Sequence, residues 1–265
     1  MGEVIVVTSG KGGVGKTTST ANIGWALSNM GKKVVVIDGD IGLRNLDVVM
    51  GLENRIVFDL VDIIEKKAKL KQAMIKDKRS ENLFLIPAAQ TRDKDAVHPD
   101  EMRELVTALK EDYDYVLVDC PAGIENGFKS AIAGADRAIV VTTPEVSAVR
   151  DADRIIGLLE ANMIEDIKLL VNRIKINMVK SGDMLDIDDI LEILGIQLIG
   201  AIPDDEYIVI STNKGESVLN HAQSLAAKAY RNIAQRITGE DVAFLNLDVQ
   251  ESFIKKLQKL FTGNV

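Results

Sequence analysis

Val4-Ile5-Val6-Val7-Thr8-Ser9-Gly10-Lys11-Gly12-Gly13-Val14-Gly15-Lys16-Thr17-Thr18 carries the chain from a β-branched run through a glycine-rich loop to a lysine followed by two hydroxyls. A strand made of consecutive apolar residues has no face for water and fits a parallel sheet covered by helices on both sides. The same kind of run recurs at 33–38, 83–87, 115–119, 138–142, 168–172 and 197–202. Segments of helical period lie between these runs, at 17–30, 98–111, 147–162, 187–194 and 217–237. Strands alternating with helices predict an α/β fold, a doubly wound and mostly parallel sheet with helices on both faces.

The loop satisfies two spacings. Gly10, Gly12 and Gly15 fit G-x-G-x-x-G, and Asp38 at the end of the second strand stands where a dinucleotide's ribose would need a carboxylate. Gly10 through Thr17 also fits G-x-x-x-x-G-K-[ST]. The pair Lys16-Thr17 separates the readings, because a dinucleotide loop has no use for an ammonium followed by a hydroxyl. A nucleoside triphosphate uses both: Gly12, Gly13, Val14, Gly15 and Thr18 offer backbone and helix-start groups to the phosphates, Lys16 neutralises β and γ oxygens, and Thr17 offers Mg²⁺ a ligand. Lys11 lies one residue after the first glycine, too close to curl back onto phosphates held by its own loop. A triphosphate in a facing subunit is its natural target, with a solvated loop lysine as the alternative.

The composition narrows the class. There are 265 residues with 32 Lys and Arg against 40 Asp and Glu, a net charge of −8. Three lysines and no acid fall in residues 252–265, so the remainder stands at −11, a poor surface for nucleic acid. One cysteine, Cys120, permits no internal disulfide and no iron–sulfur site from a single chain. With no basic leader ahead of Val4 and no run of 18 apolar residues, the expectation is a cytoplasmic chain. His98 and His221, His221 lying within a helical pattern, read as surface or packing residues rather than parts of a hydrolytic triad, and Trp25 as core.

Lys11-Gly12-Gly13-Val14-Gly15-Lys16-Thr17 resembles the deviant Walker A motif of the ParA/MinD superfamily, ATPases that form a nucleotide-sandwich dimer. The resemblance implies ATP and Mg²⁺ as cofactors, a homodimer, and a reach by Lys11 to the facing phosphates. Val34 to Asp40 is similar to the superfamily's next motif, with Asp40 implied to orient the attacking water and Asp38 to support the metal. Asp119 matches the Walker B carboxylate, and Pro121-Ala122-Gly123 the switch that senses the γ-phosphate. Asn172-Arg173 and Pro203-Asp204-Asp205 resemble its purine-contacting segments. Each acid taken singly has a plain reading as a cap past a strand.

The second informative stretch is Phe253-Ile254-Lys255-Lys256-Leu257-Gln258-Lys259-Leu260-Phe261. At about 100° per residue its five apolar residues share an arc of roughly 120°, with the three lysines opposite. It reads either as a terminal helix docked on the domain or as an interfacial helix on an anionic membrane. The expected organisation is an ATPase domain over 1–237, a linker over 238–251 and a membrane-targeting tail over 252–265. Loop and tail together resemble the septum-site-determining branch of the superfamily, as do Ile41 to Asp47 and Pro144 to Arg154. That implies a protein peripheral on the cytoplasmic face of the membrane, a MinC-like division inhibitor as partner, a MinE-like or other regulator, and Arg150, Asp151 and Asp153 as partner contacts. A ParA-type segregation ATPase shares nearly all the same catalytic residues and is the alternative.

Overall fold

The computed structural model describes residues 2–93, 95–124 and 126–247. Eight strands form one sheet in the order β3-β4-β2-β5-β1-β6-β7-β8: β1 (Glu3–Thr8), β2 (Val34–Asp38), β3 (Ile75–Lys76), β4 (Leu83–Ile86), β5 (Tyr115–Asp119), β6 (Arg137–Thr142), β7 (Asp166–Ile174) and β8 (Gln197–Pro203). All pairs are parallel except β3 with β4. The seven expected strands are present to within two residues at each end. The eighth, β3, is two residues long and has no hydrophobic period to announce it.

Because successive side chains point to opposite faces of a strand, the valine runs divide between two cores. Val4, Val6, Val35, Ile37, Val116 and Val118 pack on one face with α5 (Pro99–Asp112), α6 (Asn126–Ile132), α7 (Val146–Ala161) and α9 (Ile187–Leu194). Ile5, Val7, Val34, Val36 and Leu117 pack on the other with α1 (Lys16–Asn29), α2 (Leu46–Met50) and α11 (Leu225–Ile237). The short helices α3 (Leu60–Ile64), α4 (Leu70–Ala73), α8 (Ile176–Lys180) and α10 (Glu206–Asn213) complete the set.

The helical pattern over 217–237 does not form one helix. Ser217 starts a 3-10 turn over Val218–Asn220, the chain extends at His221, and Ser224 caps α11 through the Ala227 N–H at 3.0 Å. His221 therefore lies outside any helix and stacks on Tyr207, ring centroids 4.7 Å apart. His98 is the N-cap of α5, and Trp25 is buried. Residues 239–247 have no regular secondary structure but lie against the body: Arg236 donates to the Val242 and Ala243 carbonyls and covers the Phe244 ring at 4.0 Å. The tail 252–265 lies outside the described residues.

Candidate nucleotide site

In a parallel sheet every strand delivers its C-terminus to the same edge, and β1 sits between β5 and β6 where the crossovers diverge, the place open α/β sheets leave for ligands. The loop after β1 enters α1 through Gly15, whose φ of 95° favours glycine. A methyl group at Gly15 would stand 2.2 Å from the Asn172 amide nitrogen. That nitrogen donates to the Val14 carbonyl at 2.8 Å, so the end of β7 braces the loop. No side chain caps α1 and no acid stands in its first turn, which leaves the first N–H groups and the helix dipole facing the loop as an anion seat.

Asp119 is the hub beneath it. Its Oδ1 accepts from the Lys16 ammonium at 2.9 Å and from Thr20 at 3.0 Å, and its Oδ2 from Thr17 at 2.7 Å. Lys16 is almost wholly buried; burial alone would lower its pKa, but the Asp119 charge and hydrogen bond outweigh this and leave it above the ordinary value. Asp38 pairs with Asp119 in the β2–β5 register and is fully buried, so burial first and the Asp119 charge second push its carboxyl up to about 7. It also accepts from the Asp40 and Leu46 N–H groups at 3.0 and 3.2 Å, tying the end of β2 to the start of α2. Two buried carboxylates and a hydroxyl form an oxygen set that suits a hard divalent cation, and the Lys16 ammonium beside them suits phosphate oxygens. Among the described residues no group of three or more His, Cys, Asp and Glu could hold a metal alone.

Asp40 is half-buried just past Asp38, and its carbonyl accepts from Leu43 and Arg44, each at 3.2 Å. Arg44 has a φ of 43° and pairs with the buried Asp47 at 2.8 Å, closing that turn. Gly123 donates its N–H to the Ser9 carbonyl at 3.0 Å, joining the Pro121-Ala122-Gly123 segment after β5 to the mouth of the loop. Cys120 is buried beneath it, and burial pushes its thiol up to about 12.

Lys11 lies against its own chain. Its ammonium is 3.0 Å from Glu145 and 3.2 Å from the Ser147 hydroxyl at the start of α7, in an exposed pair that water screens. Gly10 holds this approach, since a methyl group there would meet the Asp151 carbonyl at 2.2 Å. Arg150 and Asp153 are exposed on α7 and Asp151 is half-buried. Gly15, Thr18, Asn172, Arg173 and Asp204 line a cleft of 820 Å³ beside the loop, and Pro203 and Asp204 an adjoining one of 540 Å³. Among the described residues the buried Asn172 Oδ1 has no hydrogen-bond partner, while Arg173 adopts a φ of 57° at the end of β7. Thr20, Glu145 and Ser147 were not foreseen as site residues. Thr20 had a signal, because a hydroxyl one helical turn after Lys16 shares its face; the partners of Lys11 are 134 and 136 residues away and had none.

This parallel sheet, glycine loop and buried lysine–carboxylate hub define a P-loop nucleotide-binding protein. Residues 2–178 match the AAA domain family. The septum site-determining protein MinD of Bacillus subtilis (strain 168) is 56% identical over 265 residues, covering 99% of each chain. The MinC:MinD cell division protein complex of Aquifex aeolicus contains a chain 48% identical, with a TM-score of 0.86, covering 92% of this chain and 99% of that one. A Pyrococcus horikoshii MinD structure complexed with Mg-ADP is 31% identical, with a TM-score of 0.81, over 89% of this chain and 96% of that one. The chain belongs to the MinD septum site-determining proteins, within the ParA/MinD family of P-loop ATPases. Of the two branches left open by the shared catalytic residues, septum-site determination is the one these similarities select over segregation.

Proposed function

We propose that this chain is an ATP-dependent dimerising switch that takes a division inhibitor of the MinC type to the membrane and releases it on hydrolysis. The carrying observation is the hub in which Lys16, Thr17 and Thr20 all converge on Asp119 at 3.0 Å or less. Those groups satisfy one another until a nucleotide takes over Lys16 and Thr17. Mg²⁺, held by Thr17 with Asp119 and Asp38 directly or through water, would neutralise the β and γ oxygens. Lys16 then holds the phosphates from below and Asp40 orients water for in-line attack on the γ-phosphoryl group, where positioning and charge neutralisation supply most of the catalysis. Lys11 exchanges Glu145 and Ser147 for the facing subunit's phosphates, so closure of the dimer reports that ATP is bound. Asn172 and the backbone near Pro203-Asp204 meet adenine, and Arg150, Asp151 and Asp153 meet a partner at the start of α7.

The similarity to the Aquifex aeolicus MinC:MinD complex supports the MinC-type partner, and the Mg-ADP of the Pyrococcus horikoshii structure supports the cofactor pair. Among the described residues no helix is long and apolar enough to cross a membrane, which suits attachment by a short tail. Five apolar residues and three lysines at 253–261 bind weakly as a single copy. Two copies presented by one dimer gain avidity without any new contact. Turnover is slow and is raised by membrane or by a MinE-like or other regulator, because the lifetime of the bound state is what the switch controls.

Sedimentation velocity tests this reading. The wild-type chain is expected to dimerise with ATP and not ADP, and Asp40→Ala to bind ATP, remain dimeric and lose about two orders of magnitude or more in turnover. Normal turnover by Asp40→Ala would overturn the assignment of the water.

A further inference from the structure

A groove of 530 Å³ opens between β7, β8, α8, α9 and the segment after α11, lined by Ile174, Val179, Leu185, Leu191, Phe244 and Leu247. Phe244 is 50% exposed, and Leu191 and Leu198 are only half-buried, so this apolar surface is unfinished in the described residues. Asp186 and Asp188 also line it, with Lys180. We propose that residues 252–261 of the same chain fold back into this groove when the protein is nucleotide-free or ADP-bound, covering their own apolar stripe, and that ATP releases them.

Three observations point to this occupant. The chain reaches the groove by itself, because Leu247 is part of the wall and the five residues that follow can span about 17 Å. The chemistry matches: at helical spacing, Phe253, Ile254, Leu257, Leu260 and Phe261 form one face with Lys255, Lys256 and Lys259 behind it, while α9 carries Asp188, Asp189 and Glu192 and no base. The wall is also shared with the nucleotide cleft. Pro144, Val179, Leu185 and Asp186 line both cavities, and the Leu185 N–H donates to the Pro144 carbonyl at 3.3 Å. Pro144 adjoins Glu145, the residue Lys11 leaves when the dimer closes, so the same event that engages ATP loosens the groove's edge. Release onto a membrane rests on the function proposed above; the docking itself does not.

The test is a disulfide cross-link in the full chain carrying Leu191→Cys and Leu257→Cys, with the buried Cys120 retained. Oxidation in ADP without vesicles is expected to give an intrachain disulfide, detected by peptide mass. ATP with phosphatidylglycerol vesicles lowers its yield severalfold, and so does Asp188→Lys, which leaves the α9 cap at Asp186 in place. A yield no higher than that of Val57→Cys with Leu257→Cys would overturn the proposal. So would a disulfide joining two chains, which would seat a second copy in the groove. An intrachain disulfide in ADP from a chain that never binds vesicles would leave the docking standing and remove the membrane reading instead.

Discussion

Asp38 and Asp119 occupy paired positions at the ends of β2 and β5, both buried, and only Asp119 receives the Lys16 ammonium. The neighbouring carboxylate is left to two backbone N–H groups, and its pKa rises to about 7.

Lys16→Met removes the one positive charge from that pair. Breaking a buried ion pair from one side costs about 3 kcal/mol. The urea midpoint of the nucleotide-free variant at pH 8 is expected to fall accordingly, and ATP binding followed by calorimetry to disappear. An unchanged midpoint would mean that Asp119 does not depend on Lys16.

Asp38 predicts a pH dependence. Its folded pKa of about 7 lies above the ordinary 3.8, so the folded chain holds a proton that the unfolded chain has already released. The resulting stability is complete below about pH 4 and is lost as the pH rises through about 7. Asp38→Asn removes this loss. Between about pH 5.5 and 8 its unfolding midpoint should fall less than that of the wild type.

How much of this site could be read from sequence depends on how local each feature is. The loop, Asp38, Asp40 and Asp119 were legible because each follows an apolar strand and a parallel sheet brings those ends together. The division of 217–237 was not legible: Asn22, from α1, accepts from Ser217 and from the Val218 N–H at 3.1 Å, and Asp205 accepts from Ser224, so distant partners set the break in a run whose apolar period continues. A purine contact at Asn172 is implied by resemblance alone and stands as a proposal, while its brace to Val14 joins residues far apart in sequence and is tertiary information.

That brace makes Asn172→Leu informative. Losing the donor to Val14 is expected to cost about 1–2 kcal/mol of stability, because a buried carbonyl goes unpaired. In the proposed site this Oδ1, which has no partner among the described residues, would accept from the 6-amino group of adenine and has no proton for the carbonyl that guanine carries at that position. Competition binding should therefore show ATP preferred over GTP by the wild type and the preference largely lost in the variant.

Lys11→Ala separates binding from dimerisation. An exposed pair with Glu145 contributes at most about 1 kcal/mol, so the variant should unfold at nearly the wild-type midpoint. It is expected to bind ATP and remain monomeric by light scattering. ATP-dependent dimers of Lys11→Ala would assign the lysine to the solvated surface.

In the proposed switch ATP couples dimer closure to membrane attachment through residues 252–265. Co-sedimentation with anionic liposomes tests it most directly, comparing the full chain with a chain ending at Glu251, each with ATP or ADP. The full chain is expected to pellet with ATP and to stay in the supernatant with ADP, while the shortened chain stays in the supernatant with both. Equal pelleting of the full chain in ATP and ADP, or pelleting of the shortened chain, would contradict it.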